Sequence, residues 1–176
     1  AWFDFDNYAG TFNATRRLIE GGHQRIALLG ESNNQAFITQ RRQGYLDALK
    51  EAGLSSEWLR TMPPSRRAGY TTTQELLALD VAPTAIVTDC NTHGDGAAMA
   101  LAQMGRLTGE DAVALVVYDG LPQDSIVDID VAAVIQSTRQ GVGKQIADMV
   151  LQLINGEEIS QLQVLWQPEF SPGQTA

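Results

Sequence analysis

The side chains of this sequence that could bind a small polar molecule stand where predicted strands end. Arg41 lies a few residues beyond the apolar run 26–29, at the start of a predicted helix. Its guanidinium could clamp a ligand through paired hydrogen bonds, or it could be an ordinary arginine on a helix surface. Asp119 directly follows the apolar run 112–118. Its carboxylate could accept hydrogen bonds from sugar hydroxyls or from a base, or it could cap the next turn.

Two more predicted strands end in polar residues. Gln136 follows the run 131–135 and carries a hydrogen-bond donor and an acceptor on one side chain. The run 84–88 is followed by three residues, of which one is expected to cap the next helix and another to face a ligand: Asp89, Cys90 and Asn91. Because ligands of open α/β sheets bind at the carboxyl ends of the strands, all of these residues are candidates for one binding site.

The polar and titratable residues of this chain favour a binding protein over an enzyme. The single cysteine, Cys90, has only distant histidines as partners, so we predict no nucleophile, no catalytic residue and no enzyme. His23 is interpreted as a structural residue that hydrogen-bonds a turn. His93 is interpreted as having no cysteine, aspartate or second histidine at ligand spacing, so no metal site is expected. The Gly-x-Gly pairs at 94–96 and 141–143 lack the further glycines of nucleotide-binding loops, so no cofactor is expected either.

Helices and strands alternate along the chain. Near-continuous apolar runs predict strands covered on both faces, and glycines such as Gly53 and Gly105 end the helices between them. Asn7 is expected to cap the first helix. This alternation predicts an α/β fold with a doubly wound, parallel sheet and right-handed crossovers. The predicted strands are 2–5, 25–30, 58–62, 84–88, 112–118, 131–135 and 162–166, and the predicted helices are 7–20, 37–52, 69–79, 94–104 and 141–154.

Composition narrows the class of protein further. The 176 residues, 44% hydrophobic and 19% charged, suffice for one domain or for one and a half lobes of a two-lobe protein. The net charge of −9 argues against direct contact with a nucleic-acid backbone, and a single cysteine excludes an internal disulfide. No apolar run approaches the ~20 residues that span a bilayer, and no signal peptide is visible. We therefore expect no membrane contact and a cytoplasmic location.

Three blocks of the sequence resemble one protein family. They are Asp6-Asn7-x-x-Gly10, Leu18-Ile19-x-x-Gly22-His23-x-Arg25-Ile26-Ala27 and Arg41-x-x-Gly44-Tyr45-x-x-Ala48-Leu49. Shorter matches follow in the same order: Gly69-Tyr70, Pro83-Thr84-Ala85, Gly96-Ala97, Gly105, Tyr118-Asp119 and Gln136. Together they resemble the effector-binding core of LacI/GalR-family transcriptional repressors over nearly the whole chain, and most closely the sugar-responsive branches.

The resemblance implies a fold and a set of binding residues. Members of this family have a periplasmic-binding-protein-like fold of two Rossmann-like lobes, with a small effector in the cleft between them. By this resemblance Arg41 is the arginine that clamps the effector, Asp119 is a cleft aspartate and Gln136 is a cleft glutamine beside the hinge. Phe5 matches an apolar cleft position, and Phe37 is a further ring that could stack on the ligand.

The sequence departs from the family pattern at two places in the predicted site. Cys90-Asn91 stands where the family usually has Asn-Asp, which changes one hydrogen-bond donor. Either the ligand differs accordingly, or Asp89 substitutes for the missing group. The segment 62–64 reads Met-Pro-Pro and lacks an aromatic residue that stacks on the ligand in some members.

The resemblance also divides the chain between two lobes. Residues 1–136 are predicted to form most of the C-terminal lobe, 137–163 part of the N-terminal lobe, and 164–176 the return to the C-terminal lobe. The DNA-reading helix-turn-helix and the rest of the N-terminal lobe are expected to be missing, given the abrupt start at Ala1. The helix 141–154 would then lack its sheet and expose an apolar stripe that invites self-association.

The first functional hypothesis is thus the sensing core of a LacI-type repressor. It would bind a sugar or sugar derivative as effector, contact operator DNA only through a missing domain, and form a homodimer. The alternative is a sugar-binding receptor of a transport system, which shares the fold without a DNA reader. A helix-turn-helix or a secretion signal upstream would distinguish the two. An α/β enzyme is disfavoured, and turnover of a candidate substrate would revive it.

Overall fold

Helices cover both faces of a six-stranded sheet in this protein, seen in a computed structural model that describes residues 1–136 and 141–176. The strands are β1 (Trp2–Phe5), β2 (Ile26–Glu31), β3 (Leu59–Met62), β4 (Ala85–Thr88), β5 (Ala114–Tyr118), β6 (Ala132–Ile135), β7 (Gln163–Trp166) and β8 (Glu169–Ser171). The helices are α1 (Asn7–Glu20), α2 (Ala36–Glu51), α3 (Arg66–Leu77), α4 (Asn91–Gln103) and α5 (Val142–Ile154), and a single 3₁₀ turn covers Ile159–Gln161. Within the described residues, no helix combines the length and the apolar character needed to cross a bilayer.

The main sheet has the strand order β3-β2-β4-β5-β6-β8, in which only the pair of β6 with β8 is antiparallel. The chain enters this sheet at β2, extends outward to β3, and then crosses back to continue from β4 in the other direction. This topology is doubly wound, so the predicted α/β class and parallel sheet are confirmed. The strand order reverses between β2 and β4, and such a reversal opens a crevice at the carboxyl ends of the two strands.

Burial of both faces of the sheet explains why its central strands read as unbroken apolar runs. On one face, Ile26 and Leu28 pack against side chains of α1 and α2. On the other face, Ala27 and Leu29 pack against side chains of α3 and α4. The hydroxyl of Tyr45 donates to the carbonyl oxygen of Ile26 across 2.8 Å, which ties α2 to the sheet. Helix α2 therefore carries Arg41 in a fixed position relative to β2.

Glycines allow two pairs of helices to cross with their backbones in contact. A Cβ atom on Gly44 of α2 would lie 2.3 Å from the carbonyl oxygen of Tyr8 in α1. A Cβ atom on Gly96 of α4 would lie 2.0 Å from the carbonyl oxygen of Arg66 in α3. No real side chain tolerates such distances, so these glycines set how closely the helices approach. The α1–α2 crossing also determines how close Arg41 comes to the start of α1.

Strands β1 and β7 pair in parallel as a separate two-stranded sheet. Phe5 packs edge to face on Phe3, with ring centroids 5.6 Å apart, and on Trp166, with centroids 6.1 Å apart. Such aromatic pairs stabilise a small sheet that has little other core. The predicted strand 2–5 is therefore confirmed, but it lies outside the main sheet.

Helix α5 exposes most of its apolar side. Met149 is buried, whereas Ile146, Val150 and Ile154 are 44%, 48% and 75% exposed. The uncovered stripe that the sequence predicts is thus present in the described residues, with Met149 as its exception. The predicted domain boundary at residue 137 lies outside the described residues, and the assignment of α5 to a second lobe stays a prediction.

Two helices begin three residues earlier than predicted, and one strand was not predicted. Helix α3 begins at Arg66 rather than at 69, because the hydroxyl oxygen of Ser65 caps it by accepting from the N–H of Ala68 across 3.0 Å. Helix α4 begins at Asn91 rather than at 94. Its glycines do not break it, because they serve close packing against α3 and β5. Strand β8 gave no periodic signal, since it has only three residues and one antiparallel neighbour.

Candidate functional site

The crevice predicted by the strand order lies between the carboxyl ends of β2 and β4. The carboxylate of Asp89, directly after β4, accepts from the N–H of Glu31 at the end of β2 across 2.7 Å. Asp89 is 1% exposed, so this hydrogen bond is a fixed part of the crevice floor. The two strand ends are thereby held together at the point where ligands of doubly wound sheets bind.

Arg41 is buried at this crevice, with only 6% of its surface exposed. Its Nε donates to Oδ1 of Asn7 across 2.9 Å, and its Nη1 donates to the carbonyl oxygen of Asp89 across 2.6 Å. The guanidinium carbon lies 3.5 Å from the ring centroid of Tyr118 and 5.1 Å from that of Phe37. The protein thus fixes two guanidinium nitrogens, while no described residue hydrogen-bonds Nη2. A rigid cation with a donor nitrogen that no described residue engages is well suited to hold a ligand.

Asn7 is the centre of this arrangement. Its Oδ1 accepts from Nε of Arg41, from Nε2 of Gln136 across 3.1 Å and from the hydroxyl of Tyr118 at 3.4 Å. Its Nδ2 donates to the carbonyl oxygen of Phe5 across 2.9 Å. Asn7 is 1% exposed, and the four groups that it joins come from four different elements or loops. Such a satisfied buried network is stiff, because every alternative leaves a polar group unpaired.

The prediction that Asn7 caps α1 is wrong. The capping residue is Asp6, whose side chain accepts from the N–H of Ala9 across 2.8 Å. Aspartate and asparagine cap helices about equally well, so adjacent Asp6 and Asn7 are indistinguishable by sequence. Because Asp6 takes the cap, the amide of Asn7 is free to organise the crevice.

Asp119 stands at the rim of the crevice, directly after β5. Its φ of 67° is left-handed, a conformation that aspartate adopts more readily than most residues, and its N–H donates to Val134 across 2.8 Å. The side chain is exposed, yet desolvation by nearby protein raises the pKa of Asp119. The guanidinium of Arg41 and the backbone of Gln136 oppose this rise in the pKa. Both groups are therefore near enough to Asp119 to act on its charge.

The three residues after β4 point in different directions. The carboxylate of Asp89 is directed into the protein, and only its carbonyl oxygen contacts Arg41. Cys90 occupies the cap position of α4 without a capping hydrogen bond, and its Sγ lies 3.3 Å from Oγ1 of Thr92. Asn91 is half-buried, and its side chain makes no hydrogen bond to a described residue. Of the three, Asn91 is the one whose side-chain donor and acceptor are both unengaged by the part of the chain that the structure describes.

The two predicted aromatic residues occupy different surroundings. Phe37 is half-buried and contributes its ring to the surroundings of Arg41. Phe5 is 8% exposed and packs its ring against the small sheet, so it contacts the crevice network through its carbonyl oxygen. Sequence reasoning missed Asn7 and Tyr118 as members of the site. Burial raises the pKa of Tyr118, against the effect of Arg41, so its hydroxyl remains a neutral donor.

The two histidines differ sharply. His23 is structural as predicted, with Nδ1 3.0 Å from Oγ1 of Thr84 in a turn at the opposite end of the sheet. The prediction that His93 has no aspartate or cysteine at ligand spacing is wrong. Asp89 and Cys90 precede it by about one helical turn, and one ligand atom from each of the three lies within 4.8 Å of the others. Burial lowers the pKa of His93, but contacts with Asp89, Cys90 and the Pro63 carbonyl outweigh it and raise the pKa to about 10.

A wide apolar groove lies away from these residues. It has a volume of about 620 Å³ and is lined by side chains of α3, α4 and the loop before β6, among them Tyr70, Met99 and Ile126. Ile126 is 81% exposed. The groove is lined mostly by apolar surface, so it offers fewer directed hydrogen bonds than the crevice between β2 and β4.

Comparison with known proteins identifies similar chains. A family profile described as periplasmic binding proteins and the sugar binding domain of the LacI family matches residues 1–170. The HTH-type transcriptional regulator RafR of Escherichia coli is 59% identical over 175 residues, an alignment that covers 99% of this chain and 52% of that regulator. This chain therefore spans about half the length of the curated relatives that it matches.

Solved structures of similar fold agree with the sequence matches. A transcriptional regulator from Yersinia pestis biovar Microtus superposes with a TM-score of 0.94 at 50% identity, covering 99% of this chain and 63% of the other. A complex of the transcriptional regulator CelR with cellobiose superposes with a TM-score of 0.83 at 28% identity, covering 100% of this chain and 54% of the other. The crevice described above is thus part of a fold that regulators share.

Proposed function

The chain belongs to the family of periplasmic binding proteins and LacI-type sugar-binding domains, and on that basis we propose that it is the sugar-sensing core of a DNA-binding transcription repressor. Its 59% identity to the regulator RafR supports a regulator rather than a transport receptor. The CelR–cellobiose complex supports a sugar or sugar derivative as the class of effector. An enzyme is not supported by any of these relatives. A cytoplasmic location follows from the proposed role.

The observation that carries this proposal is the network around Asn7. It brings Arg41, Gln136 and Tyr118 to one point, although they come from α2, the end of β6 and β5. Nη2 of Arg41 would donate to ligand oxygens, and Asp119 would accept from ligand hydroxyls. Sugar hydroxyls both donate and accept, so a fixed donor opposite a carboxylate acceptor suits them.

Effector binding would act on DNA through a change in the arrangement of two lobes. Arg41, Asp119, Gln136 and Asn91 lie on the lobe that the main sheet forms. An effector that also contacts a second lobe would favour the arrangement in which both sets of contacts are made. Only a difference in effector affinity between the two arrangements can change the affinity for operator DNA. The negative charge of −9 supports DNA contact through a domain outside residues 1–176.

Asp119→Asn is expected to weaken sugar binding to the full-length protein by about 10- to 100-fold, because a charged acceptor in one hydrogen bond is lost. Wild-type protein should show a rise in melting temperature with at least one member of a panel of mono-, di- and trisaccharides, gluconate and purines. Calorimetry with that ligand then measures the loss in the variant.

Asp111→Asn is the matched control, since Asp111 precedes β5 at the opposite end of the same strand and should leave affinity unchanged. Equal affinity of both variants for the ligand would reject the assignment of Asp119. Failure of every sugar to stabilise the wild-type protein would reject the proposed class of effector.

The exposed side of α5 and the apolar groove bear on the assembly of the whole protein. We assign residues 137–163 to a second lobe, whose remainder would cover Ile146 and Val150, and we propose a homodimer.

Light scattering is expected to find a dimer for the full-length protein and larger assemblies for residues 1–176 alone. Val150→Glu should reduce the assemblies of the segment, because it places a charge on the uncovered stripe. A monodisperse wild-type segment would contradict the assignment of α5, and a monomeric full-length protein would contradict the dimer.

A further inference from the structure

Three potential metal ligands meet beneath the crevice, where β4 leads into α4. One ligand atom each from Asp89, Cys90 and His93 lies within 4.8 Å of the others. His93 is 0% exposed and Asp89 is 1% exposed. Within the described residues, Nδ1 of His93 and Oδ1 of Asp89 have no hydrogen-bond partner. Two buried polar atoms without partners are costly, and their presence at one point calls for an explanation.

The contact made by Nε2 of His93 shows that Nδ1 is the ring nitrogen available to a metal ion. Its Nε2 lies 3.1 Å from the carbonyl oxygen of Pro63, which can only accept, so Nε2 carries a proton. Nδ1 faces Oδ1 of Asp89 at 3.5 Å. A lone pair on Nδ1 would repel the carboxylate, so either a proton or a metal ion must lie between the two atoms. Histidines that bind metals commonly donate their other ring N–H to a backbone carbonyl in this way.

The spacing of the ligand atoms favours a metal ion over a shared proton. At 3.5 Å, Nδ1 and Oδ1 are too far apart for a hydrogen bond. Two ligands at ~2.0–2.1 Å from a tetrahedral ion stand about 3.3 Å apart, which is close to the observed separation. A metal ion would also engage the sulfur of Cys90, which a proton between the other two atoms would not.

We propose that Asp89, Cys90 and His93 bind a divalent transition-metal ion of zinc-like softness, with a solvent molecule as the fourth donor. Carboxylate, thiolate and imidazole together form a ligand set that suits Zn²⁺ and Co²⁺ better than Mg²⁺ or Ca²⁺. The carboxylate and the thiolate supply two negative charges, which balance the charge of the ion.

One charged group opposes the ion, and its contact also links the two sites. Nη1 of Arg41 donates to the carbonyl oxygen of Asp89, so a positive charge stands close to one ligand residue. Oδ2 of the same residue is held by the N–H of Glu31, which orients Oδ1 toward His93. An ion at Oδ1 would therefore stiffen the strand end on which Arg41 rests. The metal site can be tested without any sugar.

The test is a titration of the full-length protein with Co²⁺, followed by the near-ultraviolet charge-transfer band of a thiolate–cobalt bond. We expect the band to appear and to saturate at one ion per chain, and we expect Cys90→Ser to lose it. Zn²⁺ should displace Co²⁺ and raise the melting temperature of the wild-type protein, and a chelator should reverse that rise. His93→Gln should abolish the stabilisation by Zn²⁺.

His23→Gln is the matched control, because it changes the other histidine of the chain and leaves the three ligands intact. It should keep both the band and the stabilisation by Zn²⁺. If His93→Gln does not fold, Cys90→Ser decides, since Cys90 is only half-buried and serine is nearly isosteric. Absence of the band in wild-type protein, or an unchanged band in Cys90→Ser, would overturn the site. Equal stabilisation of wild type and Cys90→Ser by Zn²⁺ would overturn it as well.

Discussion

Arg41→Ala is expected to abolish effector binding and to lower the free energy of unfolding by about 2–4 kcal/mol. The ligand would lose a charged donor held in a fixed position, which is the largest single contribution that we assign to any residue of the crevice. The protein would lose the hydrogen bonds to Asn7 and to the carbonyl oxygen of Asp89, together with the stacking on Tyr118. From sequence alone, Arg41→Ala would be expected to leave the fold intact. The burial of Arg41 makes a loss of stability the better prediction.

Calorimetry and urea unfolding of the full-length protein separate the two effects. Arg41→Lys keeps a positive charge but cannot reach Asn7 and Asp89 together, so it should retain part of the stability and little of the affinity. Arg25→Ala is the control, because Arg25 is exposed and hydrogen-bonds Ala82 at the other end of the sheet. Unchanged affinity in Arg41→Lys would show that the guanidinium does not clamp the ligand. Unchanged stability in Arg41→Ala would contradict the account of its buried contacts.

Gly44→Ala is expected to lower the free energy of unfolding by about 3 kcal/mol, although it adds a single methyl group. The new Cβ would lie 2.3 Å from the carbonyl oxygen of Tyr8 and 2.9 Å from the backbone nitrogen of Phe12. Backbone atoms cannot rotate away as a side chain does, so α1 would have to move away from α2. That movement would separate Asn7 from Arg41, and effector affinity should fall together with stability.

Gly143→Ala is the matched control for Gly44→Ala. Gly143 also lies in a helix, in the first turn of α5, but a Cβ there meets nothing within 4 Å. Alanine should therefore not destabilise α5, and it should stabilise the helix by at most about 0.5–1 kcal/mol, the difference between the two residues in a helix interior. Urea unfolding monitored by circular dichroism measures both changes. Equal effects of the two substitutions would mean that the helix crossing is not limited by Gly44.

Much of the fold could be predicted because it depends on local patterns. The apolar runs that became β2, β4 and β5 are buried on both faces, and a strand of that kind leaves no polar positions in the sequence. Alternation of such runs with helices permits few topologies besides a doubly wound sheet. The candidate site was predictable to the extent that it follows from strand ends. Asp119 and Gln136 directly follow strands, whereas Arg41 lies in α2, and the structure joins Arg41 and Gln136 through Asn7.

Other features depend on which of several possible partners a polar side chain contacts in the folded chain. Asp6 and Asn7 have equal capping ability, and only the contacts of the folded chain give the cap to Asp6 and the network to Asn7. The two glycines after His93 do not indicate that Asp89, Cys90 and His93 come together. The spacing of one helical turn between Asp89 and His93 does indicate it, and that spacing can be read from the sequence.

The sequence by itself determined the fold class, the order of the elements and the set of residues at the strand ends. The spacing of the hydrophobic residues shows which face of each helix or strand is buried. The order of these patterns along the chain gives the order of the elements. Only the tertiary structure decided the direction of each polar side chain: Arg41 into a buried network, Asp89 beneath the crevice and Phe5 into the small sheet. Those directions depend on competition between partners that are distant in sequence, so no local pattern encodes them.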